Sequence, residues 1–282
     1  VRFFFIGTLS LVLFQALVIT GCSPQIQQMS TPILKKQEEF IVAGSGSNIA
    51  VTQKLAEAFK KNQNIKIEVP DSVGSGGGIA GVLQGRVDLG LTSRPLTVDD
   101  GARGLMEVPY ALSGLILAVG SDVPDDNVSD DDIVSIYQGD KNTWSNGEPI
   151  VVFLMYEKDS TNEVLMKEIP RFKEVRIDSL KNNRWQVFYN QQSQEQAIAK
   201  TPHSIGFVTM PAVMDPRLKV LTVNGVKASP ENILNDHYKL YKTLNYVYKE
   251  PLRQEMKDFI SFTFSKQGKR IIVDYDCIPL GK

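Results

Sequence analysis

Val73-Gly-Ser-Gly-Gly-Gly-Ile79 is the stretch whose reading decides the fold. It lies between an extended apolar run, Ile65-Lys-Ile-Glu-Val69, and a helical pattern from Ile79 to Leu83 that stops at Gly85. A strand, a glycine-rich turn and a helix make an anion site, because the helix start carries unpaired N–H groups and a partial positive charge. Glycines let backbone approach a ligand closely, and Ser75 adds a hydroxyl. A second copy lies upstream: Phe40-Ile-Val-Ala43 as strand, Gly44-Ser-Gly-Ser-Asn48 as turn and Ile49 to Phe59 as helix. Downstream, Val87-Asp-Leu-Gly-Leu91 reads as a third strand, with Thr92-Ser-Arg-Pro-Leu96 at its end. Strand–helix–strand–helix–strand with short links predicts a parallel sheet. The loops 44–48, 74–78 and 92–95 then share the carboxyl edge, where such sheets bind ligands.

The composition excludes several classes. The chain has 282 residues, 42% hydrophobic and 22% charged, with a formal net charge of −1, which does not direct it to nucleic acid. Its two cysteines, Cys22 and Cys277, make no disulfide framework. The two histidines, His203 and His237, have no cysteine near them, so no metal site is expected. Gly76-Gly-Gly-Ile-Ala-Gly81 matches G-x-G-x-x-G, but its last glycine lies inside the helix and no acidic strand end follows at the right distance. There is no G-x-S-x-G and no Gly-Lys-Ser/Thr, so no enzyme and no cofactor is expected.

Phe3 to Ile19 is almost wholly apolar behind Arg2, short for a spanning helix and right for a signal peptide, residues 1–21. The segment ending Val18-Ile-Thr-Gly-Cys22 resembles a bacterial lipobox, which implies a lipid on Cys22 and a membrane tether over 22–37, rich in Gln, Ser and Pro. Further along, Glu107 to Val119 reads as two extended stretches, 120–132 as an acidic loop, Ile133 to Tyr137 as helix and Pro149 to Met155 as strand. Asp159-Ser-Thr-Asn162 opens a helix, either as a plain cap or as a third helix start aimed at the same anion. Trp185 to Tyr189 and Ser204 to Val208 read as strands, Gln191 to Lys200 as helix, and Lys219 to Val223 with Asn224-Gly225 as the start of a hairpin. Tyr241 to Tyr248 is extended, and Pro251 to Ser265 is an amphipathic helix.

Several features recur together in one family. They are Gly44-Ser-Gly-Ser47 with Leu55-Ala-Glu-Ala-Phe59, Gly74-Ser-Gly-Gly-Gly-Ile79, Val87-Asp-Leu-Gly90 with Ser93-Arg-Pro-Leu96, Ile136-Tyr-Gln-Gly139 with Trp144, and Ser265-Lys-Gln-Gly268 with Ile278-Pro-Leu280. In this combination the chain resembles the PstS-like phosphate-binding proteins of bacterial ABC importers. The resemblance implies an α/β, two-lobed type II periplasmic-binding-protein fold, with two mixed, mostly parallel sheets flanked by helices and hinged. Chain order then gives lobe one as 38–115 plus 240–282 and lobe two as 116–239. It implies a monomeric, lipid-anchored protein of the cell envelope, periplasmic or surface, delivering inorganic phosphate or a similar oxyanion to permease subunits. Other ligands (sulfate, molybdate, tungstate or an organic anion), or an adhesive or sensory role, are the alternatives. Carried onto this sequence, the ligand shell is Ser45, Ser47, Asn48, Gly74, Ser75, Gly76, Ser93, Arg94, Asp159, Ser160, Thr161 and Asn162. Two departures stand out. The family's third-loop arginine falls on Met155 or Tyr156, and the aspartate many members use to accept a phosphate proton falls on Ser93. Arg94 or Asp159 is the candidate to take over these roles.

Overall fold

The computed structural model describes residues 39–63, 65–211 and 215–281. The proposed signal segment, the tether and Cys22 lie outside them. The first elements are Glu39–Gly44 (β1), Gly46–Gln63 (α1), Lys66–Glu68 (β2), Gly74–Leu83 (α2) and Leu89–Thr92 (β3). β1 pairs in parallel with β2 on one side and with β3 on the other, the arrangement expected from the sequence. Both glycine-rich "turns" are tighter than expected. The helices begin at Gly46 and Gly74, so Ser47, Asn48, Ser75 and Gly76 are already helical. Close approach explains the glycines at two places. A Cβ on Gly44 would lie 2.0 Å from the Leu91 carbonyl oxygen, and one on Gly78 would lie 2.9 Å from that of Ala43.

After Val98–Ala102 (α3), capped by the reciprocal pair Thr97 and Asp100, comes the 16-residue strand Leu105–Gly120 (β4). It replaces the two stretches expected there. Its first half pairs antiparallel with Tyr241–Lys249 (β10), which also borders β3. The register between them slips at Leu244/Asn245, beside Pro109, which has no N–H to place in the ladder. The second half of β4 pairs with Ser204–Thr209 (β8) and Leu218–Val223 (β9). Val151–Met155 (β6) and Gln186–Phe188 (β7) extend that side in parallel. Two short strands, Asn127–Val128 (β5) and Ile278–Pro279 (β11), edge β9 and β4. The path is β2-β1-β3-β10-β4-β8-β6-β7, so the mixed sheets of this α/β fold are joined through β4.

The remaining helices are Asp130–Gln138 (α4), Ser160–Glu168 (α5), Phe172–Lys181 (α6), Gln191–Lys200 (α7), Pro230–Leu234 (α8), Gln254–Thr263 (α9) and Lys266–Asp274 (α10). Asn224 and Gly225 make the expected tight turn, both with positive φ, but it closes only a Val223–Val226 bridge. β9 therefore finds its partners in β4 and β5, not in a hairpin. Apolar burial separates into two main cores. One gathers Phe40, Leu55, Phe59, Leu89, Tyr246 and Phe259. The other gathers Leu117, Ile133, Tyr137, Phe153, Phe172 and Phe207. No helix among the described residues is long and apolar enough to cross a membrane.

Candidate functional site

The carboxyl ends of β1 and β3 bring Ser45 and Ser93 together, with their hydroxyls 2.6 Å apart. The Ser93 N–H donates to the Ser75 hydroxyl (3.2 Å) in the first turn of α2. The Ser93 hydroxyl also meets the hydroxyl of Ser160, at 2.7 Å. Ser160 opens α5, which is packed on the other core. Hydroxyls from three loops far apart in sequence thus form one buried chain. Three helix starts converge on it, those of α1, α2 and α5. Each contributes a partial positive charge of about half a unit, so the local field favours an anion.

The α5 start is held firmly. Asp159 caps it, its carboxylate accepting the Thr161 N–H at 2.8 Å. Asn162 donates to the Tyr156 carbonyl (2.8 Å) and accepts from Nε of Arg176 on α6 (2.8 Å). Arg176 is itself buried, and that burial holds its guanidinium below its ordinary pKa. Asn48 is likewise fixed as scaffold, donating to the Thr92 carbonyl (3.2 Å) and accepting from the Tyr110 hydroxyl (2.8 Å). Gly74 sits at φ +73°, where a Cβ would lie 2.9 Å from the Tyr156 hydroxyl. That contact brings the α2 start against the loop before α5. Gly76 is exposed, with open space where a Cβ would be.

Arg94 is placed differently from its neighbours. Its guanidinium donates to Asp100 (3.2 Å) and to the Pro95 carbonyl (2.8 Å), and so ties the loop to α3. No hydrogen bond joins it to the hydroxyl chain.

Two residues at the site were not anticipated from the sequence. Lys242, on β10, has a fully buried side chain. Its ammonium donates to Ser47 (3.1 Å), Ser160 (3.1 Å) and Thr161 (2.8 Å), and Asp159 Oδ1 lies 3.8 Å away. Burial lowers its pKa, opposed by the charges of Asp159 and Glu163. A signal existed. Lys242 is in phase with the inward-facing Leu244 and Tyr246, and a lysine on the buried face of a strand demands a partner. Gln191, at the start of α7, accepts from the Ser47 hydroxyl (3.1 Å) and donates to Glu195 (2.9 Å) and Thr209. Burial pushes the Glu195 carboxyl up to about 7.

Chemically the site offers hydroxyl donors, helix starts and one ammonium. A PBP superfamily domain matches residues 30–267. The phosphate-binding protein PstS of Borreliella burgdorferi is 24% identical over 267 residues, spanning 88% of this chain and 94% of that one. That of Bacillus subtilis is 23% identical over 252 residues, spanning 87% and 82%. A crystal structure from Clostridium perfringens, described as a phosphate ABC transporter substrate-binding protein with bound phosphate, has a TM-score of 0.76. It is 27% identical and covers 86% of this chain and 100% of its own. The architecture is that of a type II periplasmic binding protein, a class of solute-binding proteins and not of enzymes. The chain belongs to the PBP superfamily, and within it is PstS-like, a group of extracytoplasmic proteins.

Proposed function

We propose that the chain captures inorganic phosphate between two lobes and presents it to the permease of an ABC importer. The observation that carries this is the Ser45–Ser93–Ser160 hydroxyl chain, surrounded by the starts of α1, α2 and α5. Ser45, Ser75, Ser93, Ser160 and Thr161 supply hydroxyls to the anion and the backbone at Gly76 supplies an N–H group, while Ser47 donates to Gln191 and the Gly74 N–H to the Ser72 hydroxyl. Asn48, Asp159 and Asn162 hold these donors in place. Arg94 acts through the loop it braces.

The lobes run over 38–115 plus 240–282 and over 116–239. Two features support this division: the separate apolar cores, and the adjacent crossings, where the Leu115 N–H donates to the Leu240 carbonyl at 2.7 Å. The protein works as a monomer, tethered by a lipid on Cys22.

A fully ionised oxyanion such as sulfate is the second reading. It is favoured by one observation: among the described residues no carboxylate accepts from the Ser45, Ser93 or Ser160 hydroxyl, and Asp159, which precedes Ser160, is engaged by the Thr161 N–H.

Thermal unfolding tests the function. With a Kd near 1 μM, millimolar phosphate stabilises a binder by about 4 kcal/mol. That amounts to a rise of roughly 8–16 °C in Tm for a domain of this size. No rise with phosphate, sulfate or molybdate would contradict oxyanion capture, and a rise with sulfate alone would select the second reading.

A further inference from the structure

We propose that Lys242 reads the charge of the bound anion: its ammonium is the cationic member of the shell and sets the direction of the hydroxyl protons around the ligand. This rests on reading the site as an oxyanion cleft.

An ammonium has three N–H donors and no acceptor. All three meet hydroxyl oxygens, those of Ser47, Ser160 and Thr161. Each of these oxygens therefore accepts from Lys242 and must direct its own proton elsewhere. Ser47 sends its proton to Gln191, and Ser160 is left as a donor, with Ser93 at 2.7 Å and either hydroxyl able to donate across that contact. Lys242 thus leaves the Ser160 and Thr161 hydroxyls as donors for an anion between the helix starts.

The charge balance points the same way. The side chain is fully buried, yet its hydrogen-bond partners are all neutral hydroxyls. The carboxylate of Asp159 stands at 3.8 Å and already serves the Thr161 N–H. A buried charge solvated mainly by hydroxyls is costly to desolvate, and a single carboxylate at the edge of hydrogen-bonding range compensates it only in part. An anion beside it removes the imbalance. Lys242 also touches both sides, reaching Ser47 on α1 and Ser160 on α5. It can therefore report the ligand's charge to closure. Unlike an arginine fork, it is a point charge and fixes no ligand orientation. The hydroxyls must do that.

Ligand and proton are then coupled. Burial favours the neutral amine, while a neighbouring anion favours the ammonium. The other ionisable groups facing this region are Asp159 and Glu163 from α5, and Glu195 from α7, which acts through Gln191.

The test uses the full chain, its Lys242→Met and Lys242→Gln variants, titration calorimetry with inorganic phosphate, and melting without ligand. The expected result is phosphate affinity lowered about 10- to 150-fold in both variants. The ligand-free Tm of Lys242→Met should fall, because Asp159 and three hydroxyls lose their partner, so the melts serve to show that both variants are folded at the temperature of the calorimetry. Unchanged affinity in either folded variant would overturn the role. If the wild type binds neither phosphate nor sulfate, the cleft itself has been misread and the role of Lys242 falls with it.

Discussion

Replacing Gly78 by alanine places a methyl group against backbone that cannot rotate away. The new Cβ would lie 2.9 Å from the Ala43 carbonyl oxygen, 3.0 Å from Gly44 Cα and 3.0 Å from the Leu91 carbonyl oxygen, where ordinary contact starts at 3.4 Å. Helix α2 must therefore lift from β1 and β3 by roughly half an ångström. Overpacking of this kind costs ~1–3 kcal/mol, offset by up to ~1 kcal/mol from alanine's better helix propensity. Gly76→Ala, two residues earlier in the same helix, is the control. Its Cβ enters open space and it keeps only the propensity gain. The two variants should differ by ~1–3 kcal/mol, or about 2–12 °C in Tm at this size, with Gly78→Ala the less stable. Lifting α2 also displaces Ser75, which receives the Ser93 N–H, so phosphate affinity should fall in Gly78→Ala as well. Thermal melting followed by circular dichroism, with and without phosphate, reads both effects. A Gly78→Ala protein that melts at or above Gly76→Ala would refute the idea that close helix–sheet approach demands this glycine.

Other outcomes follow from the same geometry. Glu195 has its carboxyl raised from 4.5 to about 7 by burial, so the fold favours its protonated form. Its contribution to stability is complete below about pH 4.5 and is lost as pH rises toward 7. Glu195→Gln should flatten the dependence of Tm on pH in that window, and an unchanged pH profile would contradict the assignment. Ser93→Ala removes the hydroxyl that joins Ser45 to Ser160. It should weaken phosphate binding by about 10- to 150-fold, the effect of one hydrogen bond to a charged group, and calorimetry showing wild-type affinity would count against the hydroxyl chain as the binding element.

The part of the molecule legible in the sequence is the part governed by local rules. Short apolar runs separated by glycine and serine gave β1, α1, β2, α2 and β3. Topology alone then put Ser45, Ser75 and Ser93 at one edge. Asp159 could be read as a cap because its partner, Thr161, is two residues away. What could not be read depends on distance along the chain. Lys242 reaches Ser47 across 195 positions and Ser160 across 82, and Gln191 reaches Ser47 across 144. Neighbourhood in sequence misled in the opposite sense at Arg94. It adjoins Ser93, but the turn into α3 carries its guanidinium to Asp100. Helix α6 escaped notice because charged residues interrupt its apolar face, although Phe172, Val175 and Ser179 are buried. The first turns of α1 and α2 read as loops because glycine is a poor helix former. Close packing of backbone on the sheet outweighs that preference at Gly78.

The central claim is that phosphate lies among the Ser45, Ser75, Ser93 and Ser160 hydroxyls, between the helix starts. A crystal structure of the protein grown with phosphate and without sulfate tests it most directly. The account predicts a tetrahedral anion within hydrogen-bond distance of Ser93 and Ser160 together, and of the ammonium of Lys242 or the hydroxyls it holds. Phosphate bound elsewhere, or hydroxyls still bonded to one another in a protein saturated with ligand, would contradict it.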